Sequence, residues 1–333
     1  MSIRSTAIVG AGGWGTALAV LWSKRGNPVT LWGNDAGRAA RLRETRENAE
    51  YLPGVKIPDP IEVTSDLADC ARADLIVFVT PSVALRSVAK RLSGAGLGAA
   101  ATLLSGTKGI EHGTGMRMTE VLNEIFPRNT VAVLSGPNLA VEVSRDLPTA
   151  AVLGCRNSQC AEELQSYLCG ERFRIYSSDE TIGIELGGAL KNVFAIAAGA
   201  SDGFGLGDNS KAALVTRALA ELLRLGTAMG GNPRTFYGLS GAGDLIATCF
   251  SQLSRNRRVG ERLGRGETLE QISASTHTVA EGIPTAKSAY ECARKFQIET
   301  PIIDQIYSVV HEGKRPADAM QALLARDQKA ERA

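Results

Sequence analysis

The chain has 333 residues, a length that allows two domains with separate hydrophobic cores, and 44% of its residues are hydrophobic, as in ordinary globular proteins. Its formal net charge is +2 and its charges form no basic block, which argues against nucleic acid or an anionic membrane surface as a partner. The apolar runs are short and interrupted, and the N-terminus lacks the layout of a signal peptide. We therefore expect no transmembrane segment and no secretion.

Six cysteines are present, and none forms a Cys-x-x-Cys pair or has zinc-ligand spacing with one of the three histidines. Free thiols in a reducing compartment are the simplest interpretation, so we expect a cytoplasmic protein without a metal site. We expect Cys249 to contribute to packing and not to catalysis.

Short apolar runs alternate with helical patterns along the first half of the chain. The first run, at 7–9, ends in a glycine-rich turn, and a helix is predicted over 15–25 because Gly26 follows as a stop signal. Strands that alternate with helices indicate a parallel sheet with helices on both faces. The further predicted strands cover 28–32, 74–79, 102–104 and 131–134.

The second half of the chain has long helical periods. Ser177 and Glu180 form a capping-box pattern, which predicts the start of a helix. The change from α/β to all-α structure is therefore expected near residue 175, and we divide the chain into domains over 1–176 and 177–333. Helices are predicted at about 180–200, 210–225, 256–264 and 284–296.

The helix over 210–225 has the most complete set of signals. Asn209 or Ser210 is suited to cap its start, and Gly226 is suited to end it. Its apolar stripe comprises Leu214, Leu219, Leu222 and Leu223.

Residues 10–15 fit the dinucleotide fingerprint G-x-G-x-x-G. Gly10 permits the tight turn, Gly12 lets the backbone approach a pyrophosphate, and Gly15 lets the helix pack against the strand. The pattern alone is weak, but here it follows a predicted strand and opens a predicted helix, whose free N–H groups favour phosphate. This context disfavours the alternative, a glycine-rich turn without a ligand. The sequence thus predicts an N-terminal Rossmann domain with a doubly wound sheet, followed by an all-α C-terminal domain.

The end of the second strand should carry the residue that distinguishes NAD from NADP. An acidic residue there favours NAD, whereas a basic one accommodates the additional phosphate of NADP. Asn34 is neutral, Asp35 lies one residue further along, and Arg38 follows on the next helix. The cofactor is therefore expected to be NAD(H) or NADP(H), with the preference open.

Seven motifs occur in order along the chain, and together they are far more specific than the glycine fingerprint. They are GAGGWGTA at 10–17, SGTKG at 105–109, LSGPN at 134–138, LKNV at 190–193, GLSGAGDL at 238–245, SRN at 254–256 and VAEG at 279–282. With these motifs the chain resembles the bacterial NAD(P)-dependent glycerol-3-phosphate dehydrogenases along nearly its whole length. The resemblance implies a Rossmann domain, a helical domain and a site in the cleft between them.

The resemblance also implies roles for individual residues. Lys191 matches the catalytic lysine, Lys108 matches a second lysine that contacts substrate and cofactor, and Asp244 is a candidate for binding substrate hydroxyls or orienting Lys191. The substrate-binding positions that it implies are Lys108, Gly136, Asn138, Lys191, Asp244, Ser254, Arg255 and Asn256. The cofactor-binding positions include the fingerprint glycines Gly10, Gly12 and Gly15. The others that it implies are Gly13, Trp14, Asn34, Lys108, Ala140, Arg255, Val279 and Glu281.

Two positions depart from the family pattern. The family often has arginine or histidine where this chain has Asn34, which weakens a prediction of NADP preference. It often has threonine or serine where this chain has Asn138, whose amide has a different reach.

The chemistry of ketone reduction fits these residues independently. A nicotinamide cofactor supplies the hydride, and the protein must supply a proton. Lys191 lies among small and apolar neighbours, so burial is expected to lower its pKa and suit it to act as a general acid. Lys108 would add a second charge that stabilises an oxyanion. The alternatives are a solvated helix face for Lys191 and a surface-loop lysine for Lys108.

The segment Ser254–Asn256 precedes a predicted helix whose free N–H groups would face an anion. Arg255 has the planar fork that suits phosphate oxygens. The alternative is an ordinary capped surface helix, and without the resemblance the two interpretations are equal. The alternative for Asp244 is an ordinary turn aspartate.

The favoured interpretation is interconversion of dihydroxyacetone phosphate and sn-glycerol 3-phosphate, which supplies glycerophospholipid synthesis. A β-hydroxyacid dehydrogenase with a catalytic lysine is the same-class alternative, and a nicotinamide-binding sensor without turnover is the alternative from another class. A homodimer is expected from the resemblance and from the general frequency of two-fold dimers.

Overall fold

The computed structural model describes residues 3–275, 279–327 and 330. Within these ranges, the N-terminal half forms one eight-stranded sheet. The strands are β1 (Thr6–Val9), β2 (Val29–Trp32), β3 (Ile61–Thr64), β4 (Leu75–Phe78), β5 (Thr102–Ser105), β6 (Val131–Ser135), β7 (Thr149–Gly154) and β8 (Phe173–Ser178).

Helices connect these strands and then form the whole second half of the described chain. Between the strands lie α1 (Gly13–Ser23), α2 (Ala36–Thr45), α3 (Leu67–Cys70), α4 (Ser82–Gly94), α5 (Met118–Ile125), α6 (Ala140–Ser144) and α7 (Ser158–Leu168). After the sheet come α8 (Ile182–Gly203), α9 (Gly207–Ala228), α10 (Asp244–Phe250), α11 (Arg255–Gly264), α12 (Leu269–Ala274), α13 (Gly282–Lys295), α14 (Pro301–His311) and α15 (Pro316–Leu324).

The strand order is β3-β2-β1-β4-β5-β6-β7-β8, and all neighbours are parallel except β6 and β7. Val9 of β1 lies opposite both Trp32 of β2 and Phe78 of β4, so these three strands end at the same edge. In doubly wound sheets this carboxyl edge is where a dinucleotide lies. The predicted fold class is confirmed, and the five predicted strands are β1, β2, β4, β5 and β6.

Helix α8 is the centre of the C-terminal core. It is packed against α9, α10, α11 and α13, and side chains along its whole length, such as Ile184, Leu190 and Phe194, are buried. Among the described residues it is the one helix long and apolar enough to cross a membrane, and 94% of its most apolar 18-residue window is buried inside the fold. Its apolar character is therefore explained by its place in the core.

Glycines let α8 and α11 cross with their backbones in contact. A Cβ atom on Gly199 of α8 would overlap the carbonyl oxygen of Arg257, and a Cβ atom on Gly260 of α11 would overlap that of Ile196. The two helices thus approach more closely than larger residues would allow. This crossing holds the N-terminus of α11 beside the middle of α8.

A buried ion pair joins α8 to the sheet half of the chain. Arg117, just before α5, places Nη1 2.6 Å from Oε2 of Glu185 on α8. The backbone N–H of Thr119 donates to the other Glu185 oxygen at 2.9 Å. Burial raises the pKa of Glu185, and the Arg117 charge opposes that shift. Because the Glu185 carboxylate would be left buried without its cation, removal of the Arg117 side chain is expected to cost about 3–5 kcal/mol.

Several predicted helix ends differ from the structure. Ser177 lies in β8 and caps nothing, whereas the Glu180 carboxylate accepts from Gly183 N at 2.8 Å at the start of α8. Asn209 and Ser210 lie inside α9, which begins earlier, at Gly207, without a side-chain cap. Helix α9 also continues past Gly226 to Ala228. The predicted stripe of four leucines does pack against the C-terminal core.

All six cysteines lie in the described ranges and are free. Cys249 on α10 is fully buried in the C-terminal core, which confirms its predicted packing role. Burial raises the pKa of its thiol to about 12, so it carries little thiolate near neutral pH.

Candidate active site

Two lysines share one buried carboxylate at the junction of the two halves of the chain. Lys108 Nζ, from the loop after β5, lies 2.6 Å from Oδ2 of Asp244. Lys191 Nζ, from the middle of α8, is hydrogen bonded to Oδ1 of the same carboxylate. Lys191 also donates to the Thr248 hydroxyl at 2.7 Å, and that hydroxyl donates to Asp244 Oδ1 at 3.3 Å. The result is a compact, polar cluster of two cations, one anion and one hydroxyl.

The backbone around Lys191 is shaped to admit this cluster. Gly187 lies one turn before Lys191, and a Cβ atom there would come within 2.7 Å of the Ser240 carbonyl oxygen. Ser240 belongs to a π-helical turn, Leu239–Gly243, that leads directly into Asp244 at the start of α10. The missing side chain at Gly187 therefore lets the turn approach α8 and bring the carboxylate to the ammonium group.

Burial makes Lys191 a group that titrates near neutral pH. Its pKa is lowered to about 7, chiefly because burial disfavours the charged form. The Asp244 carboxylate opposes this shift, and the Lys108 ammonium adds to it. Lys191 is only 6% exposed, so the alternative of a solvated helix face does not hold. A lysine with this pKa is suited to exchange a proton with a bound substrate.

Gly136 and Asn138 form the wall of the cleft beside Lys108. Lys108 Nζ donates to the Gly136 carbonyl oxygen at 3.0 Å, and Gly136 has φ +134, which favours glycine. Asn138 Nδ2 donates to the Ala150 carbonyl oxygen at 3.1 Å. Asn138 Oδ1 is buried and has no hydrogen-bond partner among the described residues. It is an acceptor left available on this wall of the cleft.

The N-terminus of α11 adjoins α8 through a chain of amide hydrogen bonds. Asn256 Nδ2 donates to Asn192 Oδ1 at 2.8 Å, and Asn256 Oδ1 accepts from Gly282 N at 2.9 Å. Ser254 caps the helix, with its hydroxyl accepting from Arg257 N at 3.2 Å. Because Asn192 follows Lys191 directly, this chain places the start of α11 next to the lysine cluster.

The fingerprint glycines have the geometry of a dinucleotide cradle. A Cβ atom on Gly10, which has φ +132, would lie 2.8 Å from the Val79 carbonyl carbon, and one on Gly15 would overlap the Gly10 carbonyl oxygen. Gly12 is different, because a Cβ atom there would meet nothing within 4 Å. Gly12 is also the N-cap residue of α1, so its open side faces the end of a helix with free N–H groups.

Trp14 adds an unpaired donor to this cradle. Its indole Nε1 is buried and has no hydrogen-bond partner among the described residues. Gly13 is closed on its outer side, since a Cβ atom there would lie 2.7 Å from the Tyr51 carbonyl oxygen and 3.9 Å from Ala140 Cβ. The open face of Gly12 and the unpaired Trp14 donor are the observations by which these residues fit a dinucleotide.

Glu281 ties the start of α13 to the start of α4. Its carboxylate accepts from Ser82 Oγ at 2.6 Å and from Ser82 N at 3.2 Å, and burial raises its pKa. Arg255 is exposed and lies within electrostatic range of Glu281 and Tyr51. Val279 is 45% exposed. Glu281 thus lies beside α4, and Arg255 lies near Tyr51, which borders the glycine cradle.

The end of β2 is neutral at Asn34 but has an arginine beside it. Arg91, on the last turn of α4, donates from Nη1 to Asn34 Oδ1 at 2.7 Å. Asp35 caps α2 by accepting from Arg38 N at 2.6 Å. Arg38 itself pairs with Glu50 at 3.2 Å. The Arg38 charge is therefore already partly neutralised.

Models of one protein family match both halves of the chain. The model described as NAD-dependent glycerol-3-phosphate dehydrogenase N-terminus matches residues 5–161, and the one described as the C-terminus of the same enzyme matches residues 180–321. The chain belongs to the NAD-dependent glycerol-3-phosphate dehydrogenase family.

Relatives of this dehydrogenase family match over almost their full length. A glycerol-3-phosphate dehydrogenase (NAD(P)+) of Desulfitobacterium hafniense is 45% identical over 325 residues, covering 98% of this chain and 92% of that protein. The enzyme of the same name from Syntrophotalea carbinolica is 46% identical over 328 residues, covering 97% and 98%. The crystal structure of glycerol-3-phosphate dehydrogenase from Coxiella burnetii has a TM-score of 0.94 and 38% identity, covering 97% of this chain and 99% of that one.

The structure brings some of the predicted residues into direct contact and leaves others apart. Hydrogen bonds join Lys108, Gly136, Lys191 and Asp244, whereas Asn34 lies at the far end of the cradle, bonded to Arg91. Asn256 was predicted to bind substrate, yet its side-chain oxygen and one of its N–H groups are used within the protein.

Four residues of the site were missed by the sequence analysis. Thr248 lies four residues after Asp244 on α10, so helical spacing carried a signal for it. Asn192 follows Lys191 directly in the LKNV motif, which carried the signal there. Ser82 and Arg91 lie on α4, in none of the seven motifs. They are recognised only once Glu281 and Asn34 are seen beside them.

Proposed function

We propose that this protein reduces dihydroxyacetone phosphate to sn-glycerol 3-phosphate, reversibly, with NADH or NADPH. The observation that carries the proposal is the pair of lysines on the Asp244 carboxylate, at the junction of the two halves of the chain and beside the N-terminus of α11. Hydride transfer needs a proton donor at the carbonyl oxygen, and this cluster provides one. The phosphate of the substrate needs a cation and free N–H groups, which the start of α11 provides.

The cofactor would lie along Gly10, Gly12 and Gly15, with Trp14 Nε1 as an additional donor. When bound, its reduced nicotinamide supplies the hydride that adds to the carbonyl carbon. The residues of this chain would hold the dinucleotide at the N-terminus of α1.

Lys191 is proposed as the general acid. Its ammonium group gives a proton to the carbonyl oxygen as that oxygen gains negative charge, and Lys191 is left as a neutral amine. Lys108 stabilises the developing alkoxide by its charge. Asp244 holds both ammonium groups in place, and Thr248 fixes the direction of the Lys191 amine. In the reverse direction, the neutral Lys191 amine takes the proton from the hydroxyl group.

Arg255 and the first N–H groups of α11 are proposed to bind the substrate phosphate. The Ser254 hydroxyl is used to cap the helix, and the Asn256 side chain is used mainly to hold α11 against α8. We therefore assign Asn256 a positioning role in addition to the contact first expected, and leave the phosphate to the exposed guanidinium of Arg255.

The test is to follow nicotinamide absorbance while purified protein is mixed with dihydroxyacetone phosphate and either NADH or NADPH. Rapid oxidation is expected only with the phosphorylated ketone, and not with dihydroxyacetone or a small β-keto acid. Lys191→Met should abolish it, while Lys24→Met, at an exposed position, should not. Turnover of the β-keto acid alone would favour a β-hydroxyacid dehydrogenase. Cofactor binding without turnover of any ketone would favour a sensor.

The domain boundary, the cellular location, the metabolic role and the oligomeric state are also proposals. The division of the chain is proposed close to 176/177, and it is moved to between Ser178, where β8 ends, and Ile182, where α8 begins, because a cut at 176/177 would divide β8. Cytoplasmic location is supported by six free thiols, and a role in supplying glycerophospholipid synthesis follows from the proposed product. A homodimer is supported by the frequency of two-fold dimers, and light scattering would give twice the mass of the chain.

A further inference from the structure

The carboxyl end of β2 is where the adenosine ribose of a bound dinucleotide would lie, so the groups around it decide between NAD and NADP. This inference rests on the proposed function, because it assumes the dinucleotide site at Gly10–Gly15. Trp32 ends β2 directly opposite Val9, the residue that precedes the glycine turn. The next exposed side chain after Trp32 is Asn34.

The two nearby carboxylates already have partners within the protein. Asp35 accepts from Arg38 N at 2.6 Å and serves as the cap of α2. Glu50 pairs with the Arg38 guanidinium at 3.2 Å. An NAD-specific site needs a carboxylate that accepts from the ribose 2′-hydroxyl. Here one oxygen of Asp35 is used to cap α2, and Glu50 is paired with a cation.

Arg91, by contrast, places a cation beside the carboxyl end of β2. Its Nη1 donates to Asn34 Oδ1 at 2.7 Å, and its guanidinium carbon lies 5.5 Å from the centre of the Trp32 ring. Trp32 is itself fixed, since its indole N–H donates to the Ser65 carbonyl oxygen at 3.0 Å. Arg91 is exposed and forms no ion pair with any residue in the described ranges. The guanidinium is thus held by an aromatic ring and a neutral amide, with its charge uncompensated.

Arg38 is the other cation near this point, but its position differs. It lies 5.0 Å from the centre of the Tyr51 ring and is paired with Glu50. Because Glu50 already neutralises it, Arg38 is expected to contribute less than Arg91 to the binding of an additional anion.

We propose that Arg91 is the residue that recognises the 2′-phosphate of NADP(H), and that the protein prefers NADP(H) to NAD(H). Asn34 orients the guanidinium by a hydrogen bond, and the Trp32 ring packs against it. A guanidinium fork matches phosphate oxygens with two parallel hydrogen bonds, whereas it gains little from a ribose hydroxyl. The preference therefore comes from α4 and not from the residue after β2.

Adenosine fragments without nicotinamide test this proposal apart from catalysis. The affinities of the free protein for 2′,5′-ADP and for 5′-AMP would be measured by calorimetry. We expect 2′,5′-ADP to bind at least tenfold more tightly than 5′-AMP to the unaltered protein. Arg91→Met keeps the length of the side chain and removes the charge, so it should reduce this ratio to near one. Lys90→Met removes the neighbouring exposed charge of the same helix and should leave the ratio unchanged.

Two outcomes would overturn the proposal: a ratio of one or less in the unaltered protein, or an unchanged ratio in Arg91→Met. The first needs no variant, so the proposal stays testable even if Arg91→Met fails to fold. Oxidation of NADH with dihydroxyacetone phosphate is measured separately on the unaltered protein. Oxidation without a 2′-phosphate preference would refute the role of Arg91 alone, whereas a 2′-phosphate preference without oxidation would refute only the proposed function.

Discussion

Lys108 Nζ lies 2.6 Å from Asp244 Oδ2, although 136 positions of sequence separate the two residues. The contact joins the loop after β5 to the first residue of α10, and so it closes the cleft between the sheet and the helical half. Asp244 is only 1% exposed, and its second oxygen is bonded to Lys191. One carboxylate therefore sets the position of both cations that the proposed reaction uses.

Replacement of this carboxylate by an amide tests that arrangement. In Asp244→Asn, the neutral side chain no longer holds two ammonium groups side by side, so they repel each other and separate. We expect kcat for ketone reduction to fall about 100-fold or more, the size of effect seen when one charged group of a catalytic cluster is removed. Steady-state kinetics measures it, with the exposed Asp208→Asn as the matched control. A variant with the activity of the unaltered protein would exclude Asp244 from the mechanism.

The lowered pKa of Lys191 predicts opposite pH profiles for the two directions of the reaction. Reduction needs the protonated ammonium, so its rate is expected to fall as pH rises through about 7. Oxidation of glycerol 3-phosphate needs the neutral amine, so its rate should rise over the same range. Initial rates in both directions between pH 5.5 and 9 measure this. The same trend in both directions would show that another group supplies the proton.

Thr248 is predicted to position Lys191. Thr248→Val has nearly the same shape but accepts no hydrogen bond from Lys191 Nζ and donates none to Asp244. We expect kcat to fall about tenfold, the cost of one hydrogen bond to a charged group, with little change in KM. We also expect the pH midpoint of reduction to move. Thr216→Val, on an exposed face of α9, is the control. An effect on KM alone would contradict the positioning role.

Local patterns predicted most of the fold, and the misses have physical causes. Strands β1 and β4 are buried on both faces, so continuous runs such as Ile76-Val77-Phe78 identify them. Strand β8 has only alternate buried positions and an exposed Tyr176, a weaker pattern that was assigned to no strand. The sequence indicated a cap at Ser177 because a capping pattern involves only neighbouring residues. The pairing of Ser177 with Leu153 in the sheet joins distant residues, so no local pattern indicates it.

The residues of the site also divide into those that a sequence motif identifies and those that only the fold brings together. Lys191 and Asp244 lie in motifs, and burial of Lys191 was foreseen from its apolar neighbours. No local pattern predicts that Arg91 reaches Asn34, because that contact depends on how α4 lies across the sheet. The same holds for Ser82 and Glu281, which are 199 positions apart. Tertiary contacts of this kind are visible only in the folded chain.

The glycine crossing of α8 and α11 predicts a strong dependence of stability on side-chain size. In Gly199→Ala the new methyl group would overlap the Arg257 carbonyl oxygen and force the helices apart. We expect the free energy of unfolding to fall by about 2–3 kcal/mol, as for other overpacked cores, and KM for the phosphorylated ketone to rise as Arg255 moves. Gly94→Ala, where a methyl group meets nothing within 4 Å, is the control for helix propensity. Equal denaturation midpoints for the two variants would refute the close crossing.

Glu221 predicts a pH dependence of stability that is unrelated to catalysis. Its buried carboxyl accepts from Ile302 N at 3.0 Å and Ile303 N at 2.8 Å at the start of α14. Burial raises its pKa to about 7, and those two N–H groups oppose the shift. A raised pKa means that the folded state binds the proton more tightly than the unfolded state. Its contribution to stability is therefore fully present below about pH 4.5 and is lost as pH rises through 7.

Across that window the loss amounts to roughly 3 kcal/mol. Urea denaturation at a series of pH values measures it, by comparing the unaltered protein with Glu221→Gln. The variant cannot ionise, so its unfolding free energy should decline less between pH 5 and pH 7. Identical slopes for the two proteins would mean that Glu221 has the same proton affinity folded and unfolded.

The central position of α8 also has a consequence during synthesis of the protein. The helices that cover it, α9, α10, α11 and α13, all follow it in the chain. A ribosome that has just made Gly203 has therefore produced a long apolar helix before any of these helical partners exists. At roughly 5–20 residues per second, on the order of ten seconds pass before Lys295 completes the last of these four helices. For that interval the nascent chain carries a core helix without its four helical partners, and chaperones that bind apolar segments are expected to act on it then.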